Sequence, residues 1–405
     1  MPAPIREAGA EGAWGHGLHQ LSLDGDGRGP APVRDISREP PSPAMRKPSS
    51  DGPARMRALA ATLPDALESG YRSGRELARP LPGDRPKFVA VGMGGSGIAA
   101  DLARCVVDAE SRATLSVVRS PDLPRSVDAR TEVLLVSYSG NTWETLAAYD
   151  AAGRAGARRT VVTSGGTLLD RSESDGVPVL TVPPGLPPRS AVGHLLGGVL
   201  GLLDSTFPES LESRVAHTAN AARSRIREYA RTRGPAATLA REVGGRLPFV
   251  YAENSFVPLA RRWKTQVEEN AKRLAVFDEV PELFHNALVG WDAVSRTDAR
   301  RCAAILLEWS EESPLVRKSF RYLERILLSK GVTVARATLP SDDRLEALVA
   351  GIALGDHVSL FLADRGRVDP YPVDAIVRLK SSIGTPSPPP ATDLRRGRTG
   401  RRGTE

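Results

Sequence analysis

A chain of 405 residues with 40% hydrophobic content is long enough for two domains with real cores. Its two cysteines, Cys105 and Cys302, lie in separate apolar segments, which excludes a disulfide framework and a cysteine metal site and predicts buried free thiols. The net charge of +7 does not mark a nucleic-acid face: five arginines against Asp393 and Glu405 place +3 of it in residues 384–405, where RNA contact by the tail is the alternative reading, and the other basic residues are scattered among acids.

Residues 1–53 are rich in Gly, Pro, Ser and Arg without a hydrophobic period, so they are expected to be a disordered tail, with Met45 and Met56 as alternative starts. The chain opens on no apolar signal core, and no apolar run approaches the roughly 20 residues that span a bilayer, so a cytoplasmic location without membrane contact is expected. Met56 to Leu77 carries a helical pattern. Strands are then predicted near 87–91, 114–118, 132–137, 159–163 and 178–182 with helices between them, the rhythm of a parallel α/β sheet with right-handed crossovers. Residues 54–206 form this first domain.

Two of its strand–loop–helix units are built to hold a phosphate. The apolar run Phe88–Val91 meets Gly92-Met93-Gly94-Gly95-Ser96-Gly97 and then a helix from Ile98. Glycines let the backbone approach an anion, and a helix N-terminus supplies free N–H groups and partial positive charge. The run Val133–Val136 meets Ser137-Tyr138-Ser139-Gly140-Asn141-Thr142, with Thr142 as the expected N-cap of the helix from Trp143. Gly94, Gly95, Ser96, Ser137, Ser139 and Thr142 are the candidate phosphate ligands. Gly92, Gly94 and Gly97 also satisfy the dinucleotide pattern G-x-G-x-x-G, but the second strand ends in Arg119, Asp122 lies in a Pro-bounded loop, and the hydroxyl-rich second loop would be left without a role. Thr163-Ser164-Gly165-Gly166 is a further loop at the ligand end of the sheet.

Four prolines precede Arg189, which opens an apolar helix over Ser190–Leu203. A cation is disfavoured at a helix N-terminus unless an anion answers it. Residues 207–245 read as a helical linker, and residues 246–384 as a second α/β domain. Its strands are expected near 247–252, 301–307 and 332–336, its helices near 257–273, 314–329, 341–363 and 372–383. A disordered basic tail is expected over 385–405. Within 261–291, Gln266, Glu269 and Asn270 share a helical segment. Glu269, flanked by Val267 and Ala271, would serve as a general base if burial raised its pKa, and His285 beside Asn286 could move protons near neutrality. From the residues alone, a solvated glutamate and a satisfied loop histidine remain the bland alternatives.

The segments GMGGSGIAADL, SYSGNTWETL, PPRSAVGHLLG, RRWKTQVEENAK, PELFHNALVGW and LGDHVSLFLADRGRVDPYPVDAIVRLK, in this order over roughly 55–384, resemble the bifunctional phosphoglucose/phosphomannose isomerases. The resemblance implies two sugar-isomerase (SIS) domains, each a parallel-sheet αβα sandwich, and an aldose–ketose isomerase that needs no metal and no cofactor. It implies that Ser96, Ser137, Ser139 and Thr142 bind the phosphate of a sugar 6-phosphate. Glu269 would shuttle a proton between C1 and C2 through a cis-enediol, Arg189 would stabilise the enediolate, and His285 and Lys380 would assist ring opening. His285 would come from the partner of a homodimer, placing the site at the subunit interface. The chain departs from the family at Glu268 and Phe284, where Asn is usual, and carries Val373 where Thr or Gln alternate, with Arg378 close to Lys380. A sugar-phosphate sensor would need the loops but not the Arg189, Glu269, His285 and Lys380 set. The amino-sugar isomerase half of a synthase would need an amidotransferase domain, which the chain does not display.

Overall fold

The computed structural model describes residues 51–81 and 83–383; the expected tails before Asp51 and after Ile383 lie outside the described residues. The chain runs α1 (Gly52–Ala61), α2 (Leu63–Leu77), β1 (Lys87–Val91), α3 (Gly94–Glu110), β2 (Thr114–Val118), β3 (Thr131–Val136), α4 (Trp143–Arg154), β4 (Arg158–Thr163), α5 (Gly166–Ser174) and β5 (Val179–Thr181). A short 3-10 turn, Pro188–Ala191, leads into α6 (Val192–Leu202), followed by α7 (Glu212–Tyr229) and α8 (Pro235–Val243). The second half runs β6 (Leu247–Glu253), α9 (Val257–Ala271), β7 (Val276–Val280), α10 (Ala287–Ala293), α11 (Arg296–Ala299), β8 (Cys302–Trp309), α12 (Pro314–Lys330), β9 (Thr333–Leu339), α13 (Arg344–Gly366) and α14 (Asp374–Ile383).

Every strand pairing is parallel, in a sheet of order β2-β1-β3-β4-β5 and a second of order β7-β6-β8-β9. Alternation along the strands sorts side chains to two faces. Phe88 and Ala90 join one large core while Val89 and Val91 face a smaller one; Ala303, Ile305 and Leu307 join the same large core while Ala304 and Leu306 face a third. The large core is therefore common to both sheets, and each sheet is covered on both faces. These are two SIS-type αβα halves sharing one apolar centre.

The expected helix over Met56–Leu77 is two helices, divided at Thr62 because Pro64 can occupy only the first turn of a helix. The first begins at Gly52, inside the stretch read as tail. The linker pattern resolves into α7 and α8, which pack on α13 rather than merely connecting the halves. Strand β7 was absent from the predicted elements. It is a five-residue edge strand whose VFDEV sequence lacks a continuous apolar face. Cys105 is buried, and burial pushes its thiol up to about 12, whereas Cys302 is only partly buried, against expectation. Helix α13 is long and apolar enough to cross a membrane, but 94% of its apolar window is buried here as the core of the second half.

Helices α2 and α6 cross at backbone contact. A Cβ at Gly197 would lie 2.2 Å from the Leu67 carbonyl oxygen, so only glycine fits there. This close crossing fixes the helix that Arg189 introduces.

Candidate active site

The two phosphate-type loops follow β1 and β3, the neighbours at which the strand order reverses. Ligands collect at that crevice because the two following helices diverge to opposite faces. The Ser96 and Gly97 N–H groups bond back to the Met93 carbonyl, so those of Gly94 and Gly95 form the open tip of α3. In the second loop the Thr145 and Leu146 N–H groups bond to the Thr142 carbonyl, leaving the Trp143 and Glu144 N–H groups at the tip of α4. Thr142 holds the N-cap position, but its side chain does not cap the helix: Ser137 Oγ donates to Thr142 Oγ1 at 3.0 Å. Helices α3 and α5 likewise start without a side-chain cap. The loops are joined by the Tyr138 N–H, which donates to Ser96 Oγ at 3.1 Å. Ser139 is exposed, its Oγ accepting from the Asn141 N–H at 3.3 Å. Gly140 adopts φ +66°, and a Cβ there would fall 1.7 Å from the Gly165 carbonyl, which packs the Thr163–Gly166 turn against the second loop.

The first loop touches the segment that carries Arg189. A Cβ on Gly95 would lie 3.1 Å from the Pro188 carbonyl and 3.5 Å from Arg189 Cα. Tyr138 fastens the same segment from the other side: its hydroxyl donates to the Pro183 carbonyl at 2.9 Å and accepts from the Leu186 N–H at 2.7 Å. The Arg189 guanidinium is 3% exposed and turns away from its own helix. Its Nε donates to Asn270 Oδ1 at 2.8 Å, Nη1 reaches Glu269 Oε2 at 3.4 Å, and Nη2 donates to the Pro370 and Tyr371 carbonyls at 2.7 and 3.0 Å. Burial lowers its pKa, an effect the Glu269 carboxylate opposes.

Helix α9 presents these partners from successive turns. Arg262 donates to both carboxylate oxygens of Asp356 at 2.8 Å and to the Arg189 carbonyl at 3.3 Å; Gln266 Nε2 donates to Asp356 Oδ1 at 2.8 Å, and Asn270 Nδ2 to Ser359 Oγ at 2.9 Å. These bonds lock α9 to α13 and hold the backbone of Arg189. The Glu269 side chain is 29% exposed: Val267 and Ala271 are buried, and Glu269 emerges between them. Adjacent positions on a helix point about 100° apart. Glu268 accordingly pairs with Lys264 at 2.7 Å and leaves Glu269 to Arg189. Lys272, absent from the predicted set, donates to the carbonyls of Glu269, Pro370 and Pro372. Burial, aided by repulsion from Arg189, lowers its pKa to about 8.

His285 and Lys380 are exposed, and among the described residues no hydrogen bond or ion pair joins either to Arg189 or Glu269. Topology separates His285 from Glu269 within one chain. Helix α9 runs back against the strands, so Glu269, about 18 Å along it, sits toward the amino ends, whereas His285 follows the carboxyl end of β7. Phe284 packs edge-on against Tyr322 at 6.3 Å, and the Val373 carbonyl accepts from the Ile376 N–H at the start of α14.

Residues 232–383 match the family described as bacterial phospho-glucose isomerase C-terminal SIS domain. Over 331 residues the chain is 33% identical to a bifunctional phosphoglucose/phosphomannose isomerase of Caldicellulosiruptor bescii, covering 79% of this chain and 96% of that one. A relative of the same description from Aquifex aeolicus is 31% identical over 300 residues, covering 73% and 90%. A hypothetical protein of Thermus thermophilus shares the fold, with a TM-score of 0.62 at 17% identity over 82% of this chain and 94% of that one.

Proposed function

The chain belongs to the family of bifunctional phosphoglucose/phosphomannose isomerases, and from that premise we propose that it interconverts fructose 6-phosphate with glucose 6-phosphate and mannose 6-phosphate. The observation that carries this reading is the Arg189 Nη1–Glu269 Oε2 pair at 3.4 Å, beside a glycine loop whose helix tip is uncapped. The open N–H groups at Gly94, Gly95, Trp143 and Glu144, with the hydroxyls of Ser96, Ser137, Ser139 and Thr142, hold the 6-phosphate. Glu269 removes the proton from C2 of the open aldose and returns it to C1, or the reverse from the ketose. The intermediate is a cis-enediol, and its developing oxyanion is met by a guanidinium already fixed in place, so little reorganisation is needed in the transition state. Rotation about C2–C3 lets one base serve both epimers. The partner subunit of a homodimer supplies His285, which with Lys380 assists ring opening; the separation of His285 from Glu269 within one chain supports this arrangement. Neither metal nor cofactor enters this scheme, and we place the enzyme in the cytoplasm.

The test is isomerisation of fructose 6-phosphate in EDTA by the wild type and Glu269→Gln. Turnover to both aldoses, falling at least about 1000-fold in kcat in the variant, is expected for loss of a general base. A variant retaining more than about a tenth of kcat overturns the role of Glu269. Saturable binding without wild-type turnover replaces the isomerase by a sugar-phosphate sensor.

A further inference from the structure

Helix α9 does not end on a glycine. Lys272 closes it in the left-handed conformation, φ 54° and ψ 40°, which costs a non-glycine residue of order 1 kcal/mol. What that turn achieves is visible in the side chain. Nζ donates to the Glu269 carbonyl at 2.5 Å, to the Pro372 carbonyl at 2.6 Å and to the Pro370 carbonyl at 3.4 Å. A lysine that merely answers the last carbonyls of its own helix is common. Here two of the three acceptors lie on the strap between α13 and α14, far away in sequence. The same strap receives Arg189, whose Nη2 donates to the Pro370 and Tyr371 carbonyls. Two cations from opposite halves of the molecule therefore share one short run of carbonyls, and they meet at Pro370.

We propose that Lys272 is a positioning residue for the isomerase, fastening the Pro370–Pro372 strap to the turn that carries Glu269 so that Arg189 keeps one orientation toward the base. The proposal rests on the isomerase reading above. Without the ammonium, the Pro372 carbonyl loses this donor, and the strap keeps the Arg189 bonds and the Arg55 guanidinium stacked 4.2 Å from the Tyr371 ring centroid but loses its tie to the turn that carries Glu269. The guanidinium plane is set by those strap carbonyls and by Asn270, so a looser strap lets Nη1 leave the carboxylate. The cost falls on the transition state, where a fixed cation is needed, rather than on phosphate binding, which resides at loops of the first half. The charged groups facing Lys272 are Arg189 from the turn before α6, Glu269 from its own helix, Asp369 from the strap and Asp374 from the first turn of α14.

The experiment compares the full-length wild type with Lys272→Met and Lys272→Arg, using fructose 6-phosphate turnover and amide hydrogen exchange. Lys272→Met is expected to lower kcat by about 30-fold with KM changed less than about threefold, and Lys272→Arg to restore kcat to within about threefold. Exchange over residues 367–380 should rise in Lys272→Met while the strands β1–β5 keep their protection. Wild-type kcat with wild-type strap protection in Lys272→Met overturns the proposal, as does a rise in exchange throughout the chain, which would make Lys272 a general stabiliser. If the wild type shows no turnover, the isomerase reading fails on that ground, and unchanged strap exchange in Lys272→Met would separately refute the fastening.

Discussion

The two halves of the molecule share a strand order up to the fourth strand yet treat the crevice at its reversal in opposite ways. In the first half the helices that start there, α3 and α4, have no side-chain cap, and the loops before them carry glycine and hydroxyls. In the second half the corresponding loops follow β6 and β8, and they supply their own acceptors. Glu253 accepts from the Ser255 N–H at 3.0 Å, and Glu312 accepts from the Trp309 N–H at 2.9 Å. Glu253 thus caps the turn Asn254–Phe256 that leads into α9, whose own first turn has no side-chain cap, and Ser313 caps α12. Arg344 covers the place, stacked at 4.5 Å from the Trp309 ring centroid and donating to Ser255 Oγ at 2.9 Å. A helix N-terminus must find an acceptor somewhere. One half leaves that demand open; the other meets it at α12 from its own sequence. The same topology thus yields one open crevice and one filled one, and the second half places Glu269 of α9 against Arg189.

The sharpest way to break this contrast is to give the first half the second half's solution. Thr142→Asp places a carboxylate at an uncapped N-terminus, where capping is worth about 1 kcal/mol. The variant should be more stable to chemical denaturation than the wild type and bind fructose 6-phosphate at least about 100-fold more weakly, because the carboxylate occupies and repels the phosphate position. Stability rising with affinity unchanged would show that the α4 tip is not where the phosphate sits.

This division was partly legible in the sequence. The apolar runs before Gly92 and Ser137 announced the strands, and Gly/Ser/Thr loops announced the open helix tips, because both signals are local. Arg189 stood out as a cation at a helix start, although the carbonyls and the carboxylate that accept from it come from residues 269–270 and 370–371, which no local pattern connects. Lys272 carried no signal at all: its role depends on a backbone conformation that sequences usually give to glycine, and on acceptors in a distant strap. Strand β7 was hidden because an edge strand bearing Asp278 and Glu279 has no need of a continuous apolar run. Tyr138 was visible only as one loop residue among several; its two-sided bridge appears once β5 brings Pro183 and Leu186 across the loop.

That bridge gives the second test. Tyr138→Phe keeps the ring but removes the hydroxyl that accepts from Leu186 and donates to Pro183. If the Pro-rich lead depends on it to hold Arg189 against the Gly95 loop, kcat/KM should fall about tenfold, roughly the value of one buried hydrogen-bonding group. The core strands should be unaffected by hydrogen exchange. Unaltered kinetics would mean that the prolines and the Gly95 contact hold Arg189 without help.

The smallest effect probes the cost of filling the second crevice internally. Glu312 is 6% exposed, and burial, with the nearby Glu308 and Glu253 adding repulsion against the opposing Trp309 N–H, raises its pKa from 4.5 to about 7. The folded chain therefore binds this proton more tightly than the unfolded chain between those values, so the contribution to stability falls as pH rises from about 4.5 to about 7 and stays lost above. Glu312→Gln keeps an oxygen for the Trp309 N–H and cannot ionise. Its stability relative to the wild type should be near equal at pH 4.5 and higher by about 1 kcal/mol at pH 8, after allowance for solvent screening. Denaturant titrations at the two pH values decide it: a difference that does not grow with pH would mean that the carboxylate is well accommodated as an anion. The internal anion of the second crevice would then cost nothing, and the openness of the first could not be explained by the expense of the alternative.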